Sequence, residues 1–245
     1  MNIAPGPEQG RDLLVKRAST AVRGKVLREA LPFVIPLLGV GALGMGVGWP
    51  LLGWAGIFSA LGVSLFFRNP SRRPLRDPRI VLSPADGRVV EISSLEELEG
   101  RPGPFKKVSV FMSVFNVHVN RAPVTGEVVE VSHRPGRFDP AYRHDTSHGN
   151  ERNLVRIRMQ GGMEVLCVQV AGILARRIVC WIHEGNFILQ GAPFGLIRFG
   201  SRVDTYLPQG FEPDVRINQR VWAGETPLGY FTEMEAPSRQ ILPHS

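Results

Sequence analysis

Pro84-Ala85-Asp86-Gly87-Arg88-Val89-Val90-Glu91-Ile92 reads as a tight turn that delivers a strand, and the chain says nearly the same thing again at Pro123-Val124-Thr125-Gly126-Glu127-Val128-Val129-Glu130-Val131. Each begins Pro-x-x-Gly, a turn signal, and continues into β-branched residues. A third, looser version of turn and strand runs from Gln219 to Gly229. Two nine-residue copies fit chance turn grammar as well as a structural duplication, and the echo carries no chemistry by itself. Outward from these stretches the same texture persists. Short runs broken by Gly and Pro lie at Lys107–Met112, Leu154–Met159, Glu164–Val170, Ile178–Ile182, Pro193–Phe199, Arg202–Leu207 and Gln219–Trp222. No long amphipathic helix interrupts them. The reading is a mainly β domain, sandwich or barrel-like, built of short strands.

The first third of the chain is different. From Leu31 to Phe67 no residue is charged, and Trp49-Pro50 divides this run into two pieces. Each is near the lower limit of about 17 residues for a spanning helix. Gly39, Gly41, Gly44, Gly46 and Gly48 crowd the first piece, a composition poor for helices in water but common in membranes. The prediction is an N-terminal hydrophobic helical hairpin with Trp49-Pro50 at its tip. Basic residues precede it (Arg11, Lys16, Arg17, Arg23, Lys25, Arg28) and follow it (Arg68, Arg72, Arg73, Arg76), so both ends are expected on the cytoplasmic side of the cell membrane. The expected organisation is a basic tail or amphipathic segment over 1–30, the hairpin over 31–67 and a β catalytic domain over 68–245. The formal net charge of +7 is assigned to an anionic membrane surface and not to nucleic acid. On this view the hairpin concentrates the protein at lipid, and a chain lacking residues 1–67 should still mature but work poorly on bilayers. Cys167 and Cys180 sit in apolar runs without metal-type spacing and read as small buried hydrophobes.

Four segments carry candidate chemistry. Asp86 lies in the first Pro-x-x-Gly turn, where an aspartate alone is an ordinary turn-former. The strand Phe111–Pro123 presents His118, Asn120 and Arg121 together. A long polar loop follows, with His133, Arg137, His144, His148 and Asn150-Glu151-Arg152-Asn153, of the kind that forms a lid or merely a solvated loop. Phe199-Gly200-Ser201-Arg202 sits between two apolar strands and is not a G-x-S-x-G nucleophile elbow. Taken singly, Gly-Ser is a common turn.

Together, and in this order, the segments resemble the phosphatidylserine decarboxylase family in its short form. Phe66-Phe67-Arg68-Asn69-Pro70 after the hairpin, the Pro-Ala-Asp-Gly turn, the strand bearing His118, Pro135-Gly136-x-Phe138, Asn150-Glu151-Arg152-Asn153, Phe199-Gly200-Ser201 and Ala223-Gly224-Glu225-Thr226 carry the likeness, which spans Phe66 to Gly229. The resemblance implies a proenzyme that cuts itself between Gly200 and Ser201 into a large chain (1–200) and a small chain (201–245), which stay together as a heterodimer. The Ser201 hydroxyl would attack the Gly200 carbonyl, breaking the C–N bond to form an ester. Elimination then releases the Gly200 carboxylate and leaves dehydroalanine, and water converts this to a pyruvoyl group and ammonia. The pyruvoyl group, with no metal and no pyridoxal phosphate, would decarboxylate phosphatidylserine to phosphatidylethanolamine and carbon dioxide through a Schiff base. Gly200 and Ser201 thus become the cleavage site. Asp86 and His118 become catalytic candidates, and Arg121, Asn120 and His144 substrate-binding ones.

The chain departs from many members of the family at one point. Where they carry a second histidine three residues after the first, Arg121 stands, and arginine is no base at neutral pH. The base for self-cleavage is then His118 oriented by Asp86, or His144 or His148. Other readings are a pyruvoyl decarboxylase of a soluble amino acid, a membrane-tethered lipoyl-like module and a membrane-anchored serine hydrolase. The hairpin argues against the first, the missing carrier lysine against the second and the missing elbow against the third.

Overall fold

The computed structural model describes residues 7–75, 77–136, 149–172, 177–198 and 201–232, with side chains from residue 24 onward. Two helices precede a β domain. Helix α1 (Pro7–Gly46) continues through the expected boundary at residue 31, so the basic segment and the first apolar piece form one helix. Pro32 and Pro36 lie inside it. Each removes an N–H from the helical ladder, a loss that membrane helices tolerate where neighbouring groups re-satisfy the backbone. Gly48, in the left-handed region at φ 78°, turns the chain, and α2 (Pro50–Phe66) starts with Pro50 in its first turn. The two helices pack through glycine. A Cβ on Gly44 would lie 2.6 Å from the Gly53 nitrogen, and one on Gly56 would lie 2.6 Å from the Gly41 nitrogen. Small residues at such a seam let two backbones approach closely. The glycines that weaken α1 as an isolated helix therefore make the hairpin.

Among the described residues one helical stretch, Gly24–Gly46, is long and apolar enough to cross a membrane, and α2 is a shorter apolar helix. Only 17% of the most apolar window in the first is buried, so most of its apolar surface faces away from the described residues. Leu43, Leu51 and Phe58 stand more than half exposed.

Fourteen strands are present among the described residues. The main sheet has eight, all antiparallel: β13 (Arg220–Val221), β2 (Gly87–Leu98), β3 (Arg101–Met112), β11 (Ser201–Leu207), β7 (Glu164–Ala171), β6 (Arg152–Arg158), β5 (Gly126–Arg134) and β9 (Phe187–Ile188), in that spatial order. A second sheet joins β4 (Val119–Arg121), β10 (Pro193–Ile197) and β8 (Ile178–Cys180). A third joins β1 (Ile80–Leu82), β14 (Pro227–Phe231) and β12 (Phe211–Pro213). All nine runs read from the sequence are strands. β2 and β3 reach beyond their expected ends to form a long hairpin, turned by Glu99 and Gly100 at φ 53° and 76°. Pro102 and Pro104 fit there because β11 pairs β3 only from Lys106 onward, leaving their side of the strand without a ladder.

The sequence echo is a structural duplication. β2 and β5 are bulged at the same place, between Val89 and Glu91 and between Val128 and Glu130. Val89 exchanges backbone hydrogen bonds with Gln219 and Asn218, and Val128 does so with Asn186 and Gly185. The halves clasp reciprocally: Leu82 N–H donates to the Pro123 carbonyl and Arg121 N–H to the Pro84 carbonyl, both at 2.9 Å. Gly87 and Gly126 are required by close approach, since a Cβ would sit 2.0 Å from the Phe111 carbonyl oxygen and 2.2 Å from that of Arg158. The looser third copy runs through a turn into β14, and its first half stands to β2 as Asn186–Gly191 stands to β5. The sheet curls until its ends meet, where a Cβ on Gly224 would come within 3.2 Å of the Gly191 Cα. Inside lie Val89, Val108, Val110, Val128, Ile157 and Phe194, all fully buried, each contributing about 1.5–3 kcal/mol. Cys167 belongs to this core and burial pushes its thiol pKa up to about 12.

Candidate active site

Ser201 opens β11, a strand buried along its whole length. Its neighbours across the ladders are Met112 on β3 and Ala171 on β7, both in the core. Side chains alternate along a strand, so Ser201 shares the inward face with Val203 and Leu207. The Ser201 hydroxyl is fully buried and has no hydrogen-bond partner among the described residues. Most buried hydroxyls are satisfied, and one that is not calls for a reason such as reactivity. Gly200, on the other side of the expected scissile bond, lies outside the described residues, as do His144 and His148 of the loop.

Met112 is the point where the predicted residues converge. Asn120 Nδ2 donates to Met112 Sδ at 3.6 Å, which brings β4 against the Ser201–Met112 pair. Asn120 Oδ1 accepts from Gln169 Nε2 at 2.8 Å, and Gln169 Oε1 from Asn153 Nδ2 at 2.9 Å. All three amides are buried, and the chain of bonds fixes their orientation. On the opposite side of Met112, Arg88 is in register with Phe111 and Gly87 immediately precedes Arg88. Asp86 therefore sits near the row of Ser201, roughly two strand spacings or about 10 Å away.

Asp86 does two things. Its carboxylate accepts the Ala223 N–H at 2.7 Å, and its two oxygens accept from Arg72 Nη2 at 2.9 and 2.7 Å. Arg72 also reaches Glu225 at 2.9 Å. The duplicated half separates the two roles, because there Thr125 Oγ1 accepts the equivalent N–H of Gln190 at 3.0 Å. A neutral oxygen suffices for the turn, so the charge of Asp86 serves the arginine. Among the described residues, those that hydrogen-bond Asp86 are Arg72 and Ala223, not His118. Arg72, expected among the basic residues facing lipid, is instead largely buried in this ion cluster, while Arg73 is exposed.

His118 is buried just ahead of β4. Its ring lies 4.1 Å, centre to centre, from that of Phe66, and Nδ1 is 3.0 Å from the Asn116 carbonyl oxygen. A carbonyl only accepts, so Nδ1 carries the proton and Nε2 is the basic nitrogen of the neutral ring. Burial, with the Arg68 charge adding to it against the Asn116 hydrogen bond, lowers the imidazole pKa from 6.5 to about 4. The ring is neutral at pH 7.

Arg121 is buried and donates to the Gly191 carbonyl at 2.9 Å, to Asn69 Oδ1 at 2.7 Å and to the Pro70 carbonyl at 3.0 Å. Burial lowers its pKa to about 10 with the help of the Arg72 charge, against the attraction of Asp86 and Glu225. It ties the exit of the helical hairpin to the β domain. Sequence reasoning missed Arg72, Glu225, Gln169 and Met112. Gln169 left a signal, being the one amide in the apolar run Val165–Ala171. Met112 left none.

The site is thus a buried serine at a strand start in a curled, duplicated β domain, behind an apolar hairpin. A model of the phosphatidylserine decarboxylase family matches residues 60–229, and the chain belongs to that family. Curated relatives named phosphatidylserine decarboxylase proenzyme are 48% identical in Mycobacterium bovis, over 80% of this chain and 86% of the relative. In Mycobacterium marinum the identity is 48% over 80% of this chain and 82% of the relative. In Mycobacterium leprae it is 47% over 82% and 86%.

Proposed function

We propose that the chain is a proenzyme that cuts itself at Gly200–Ser201 and then decarboxylates phosphatidylserine to phosphatidylethanolamine at a membrane surface. The observation that carries this is the Ser201 hydroxyl, buried and without a partner among the described residues, at the position where the family resemblance places the nucleophile. The site fits a pyruvoyl group made from Ser201. Such a group is formed from the chain itself and needs no cradle, and its flanks, Met112 and Ala171, are uncharged. When present, it supplies an electron sink for the carbanion left by loss of carbon dioxide.

The chain's own residues do the rest. The Asn153–Gln169–Asn120 amides hold Met112 and, through it, the start of β11. Neutral His118 offers Nε2 as proton acceptor for the serine attack and, once protonated, as a donor. Asp86 places negative charge beside this end of the sheet and is held there by Arg72. Arg121 fixes β4 against Asn69-Pro70, and any phosphate or carboxylate it binds must displace those oxygens. The outward-facing apolar side chains of α1 and α2, with exposed Arg73 beyond them, support membrane association on the side carrying both basic flanks. The test is Ser201→Ala. The variant is expected to remain one chain and to form no phosphatidylethanolamine from phosphatidylserine vesicles. Processed chains of wild-type size in that variant would refute the assignment.

A further inference from the structure

The residue three before Ser201 is held by the membrane helix. Arg198 Nη2 donates to Glu29 Oε2 on α1, and both side chains are largely withdrawn from water. The Arg198 guanidinium also lies 5.4 Å from the ring centre of Phe33. Glu29 and Phe33 are four residues apart on α1 and share a face. From Phe33 a run of rings leads back to the site. Phe33 stacks on Phe67 at 6.1 Å, Phe67 meets Phe66 edge-on at 5.0 Å, and Phe66 lies against His118 at 4.1 Å. Val26 and Ala30 of α1 pack with Val117, Val119 and Leu196 around these rings. The Ile197 N–H donates to the His118 carbonyl at 3.3 Å, and the Arg198 N–H to the Arg177 carbonyl at 3.2 Å.

Two residues of sequence, 199 and 200, separate two fixed points. Upstream, Arg198 is gripped by Glu29 and Phe33. Downstream, Ser201 is locked between Met112 and Ala171. A connector of two residues has little slack, so the upstream grip helps to set where the Gly200 carbonyl meets the serine oxygen. A displacement of about 1 Å can cost a reaction up to a hundredfold. We propose that the helical hairpin is a positioning element for self-cleavage, acting through Glu29 and Phe33 on Arg198, and not only an anchor. The proposal rests on self-cleavage at Gly200–Ser201. It qualifies the expectation that a chain lacking residues 1–67 still matures, because such a chain should cut slowly.

The experiment follows appearance of the small chain, by gel and mass, in full-length proenzyme synthesised into phosphatidylserine-containing nanodiscs. Glu29→Gln and Arg198→Gln should slow cleavage roughly tenfold while the urea unfolding midpoint changes little. The charge swap Glu29→Arg with Arg198→Glu should recover most of the rate, which a loss of general stability would not do. Phe33→Leu keeps apolar bulk without the aromatic face, and should slow cleavage a few fold even where a charge variant fails to fold. Arg101→Gln breaks a remote ion pair with Glu164 and should cut at the wild-type rate. Wild-type cleavage rates in Glu29→Gln and Phe33→Leu, or an equal slowing in Arg101→Gln, would overturn the proposal. A wild-type chain that never cuts would instead refute the proposed function, so the two failures are distinguishable.

Discussion

Replacing Asp86 by asparagine separates the turn from the charge. The amide keeps an oxygen to accept the Ala223 N–H, as Thr125 does for Gln190 in the duplicated half. What is lost is the carboxylate that accepts Arg72 Nη2 at 2.9 and 2.7 Å, with both side chains about nine-tenths buried. Hydrogen bonds to charged groups contribute about 1.5–3 kcal/mol each. Stranding a buried charge costs about 3–5 kcal/mol, but Arg72 retains Glu225 at 2.9 Å. A net loss of about 2 kcal/mol follows, small enough for the domain to stay folded. Asp86 holds Arg72 and not a reacting proton, so its effect is on position, and a displacement of about 1 Å at reacting atoms costs up to about a hundredfold. Self-cleavage should therefore slow by about ten- to a hundredfold through lost positioning. The assay pairs urea unfolding with a cleavage time course, and Asp86→Thr serves as a second variant that keeps the turn bond. Wild-type maturation in both variants would reduce Asp86 to a turn-former and sink the catalytic assignment.

His118 makes stability depend on pH. Its folded pKa of about 4 lies below the ordinary 6.5, so the unfolded chain binds more protons between these values and stability rises with pH across that window. The contribution, about 3 kcal/mol, is complete above pH 6.5 and lost as the pH falls towards 4. His118→Gln should flatten that part of the urea-midpoint profile, and an unchanged slope would show that the imidazole is not buried as described. Charge reversal at exposed Arg73 should lower activity on anionic vesicles at low salt, roughly fivefold for each charge near the surface, and much less at high salt. The same reversal at Arg72 should instead impair maturation at any salt, and the opposite pattern would mean that the arginine roles are exchanged.

Much of this architecture is legible in the sequence because it rests on local signals. Turn glycines, β-branched runs and the uncharged stretch each report their own element, so all nine expected strands and the Trp49-Pro50 tip were found. The glycines of α1 were legible as membrane composition, whereas their packing against Gly53 and Gly56 depends on the second helix. Strands of two or three residues, such as β1, β9 and β12, have too few positions to show a period. They exist because longer strands leave them an edge to pair with. The bulge shared by β2 and β5 turns an ambiguous echo into a duplication, and only the hydrogen bonds at Val89 and Val128 reveal it.

The site was legible as residue types in an order, not as partnerships. Ser201 and Asn120 meet at Met112 through register between distant strands, which no spacing encodes. Arg72 sits in a basic cluster that reads as lipid-facing, yet it is drawn inward by the two carboxylates of Asp86 and Glu225. Arg121 stands where a histidine is usual in the family, and its contacts with Asn69 and Pro70 link it to the hairpin exit. Glu29, the one acid in the basic stretch Arg23–Ala30, takes its role from Arg198, which is distant in sequence.

The central claim is that this chain makes its own reactive group from Ser201, and intact mass of the purified protein tests it most directly. Two chains are expected, residues 1–200 and 201–245. The small one should be lighter than its serine-initiated form by the mass of one ammonia and should lack an amino group at its start. A single chain of 245 residues, or a small chain that begins with an ordinary serine, would contradict the account.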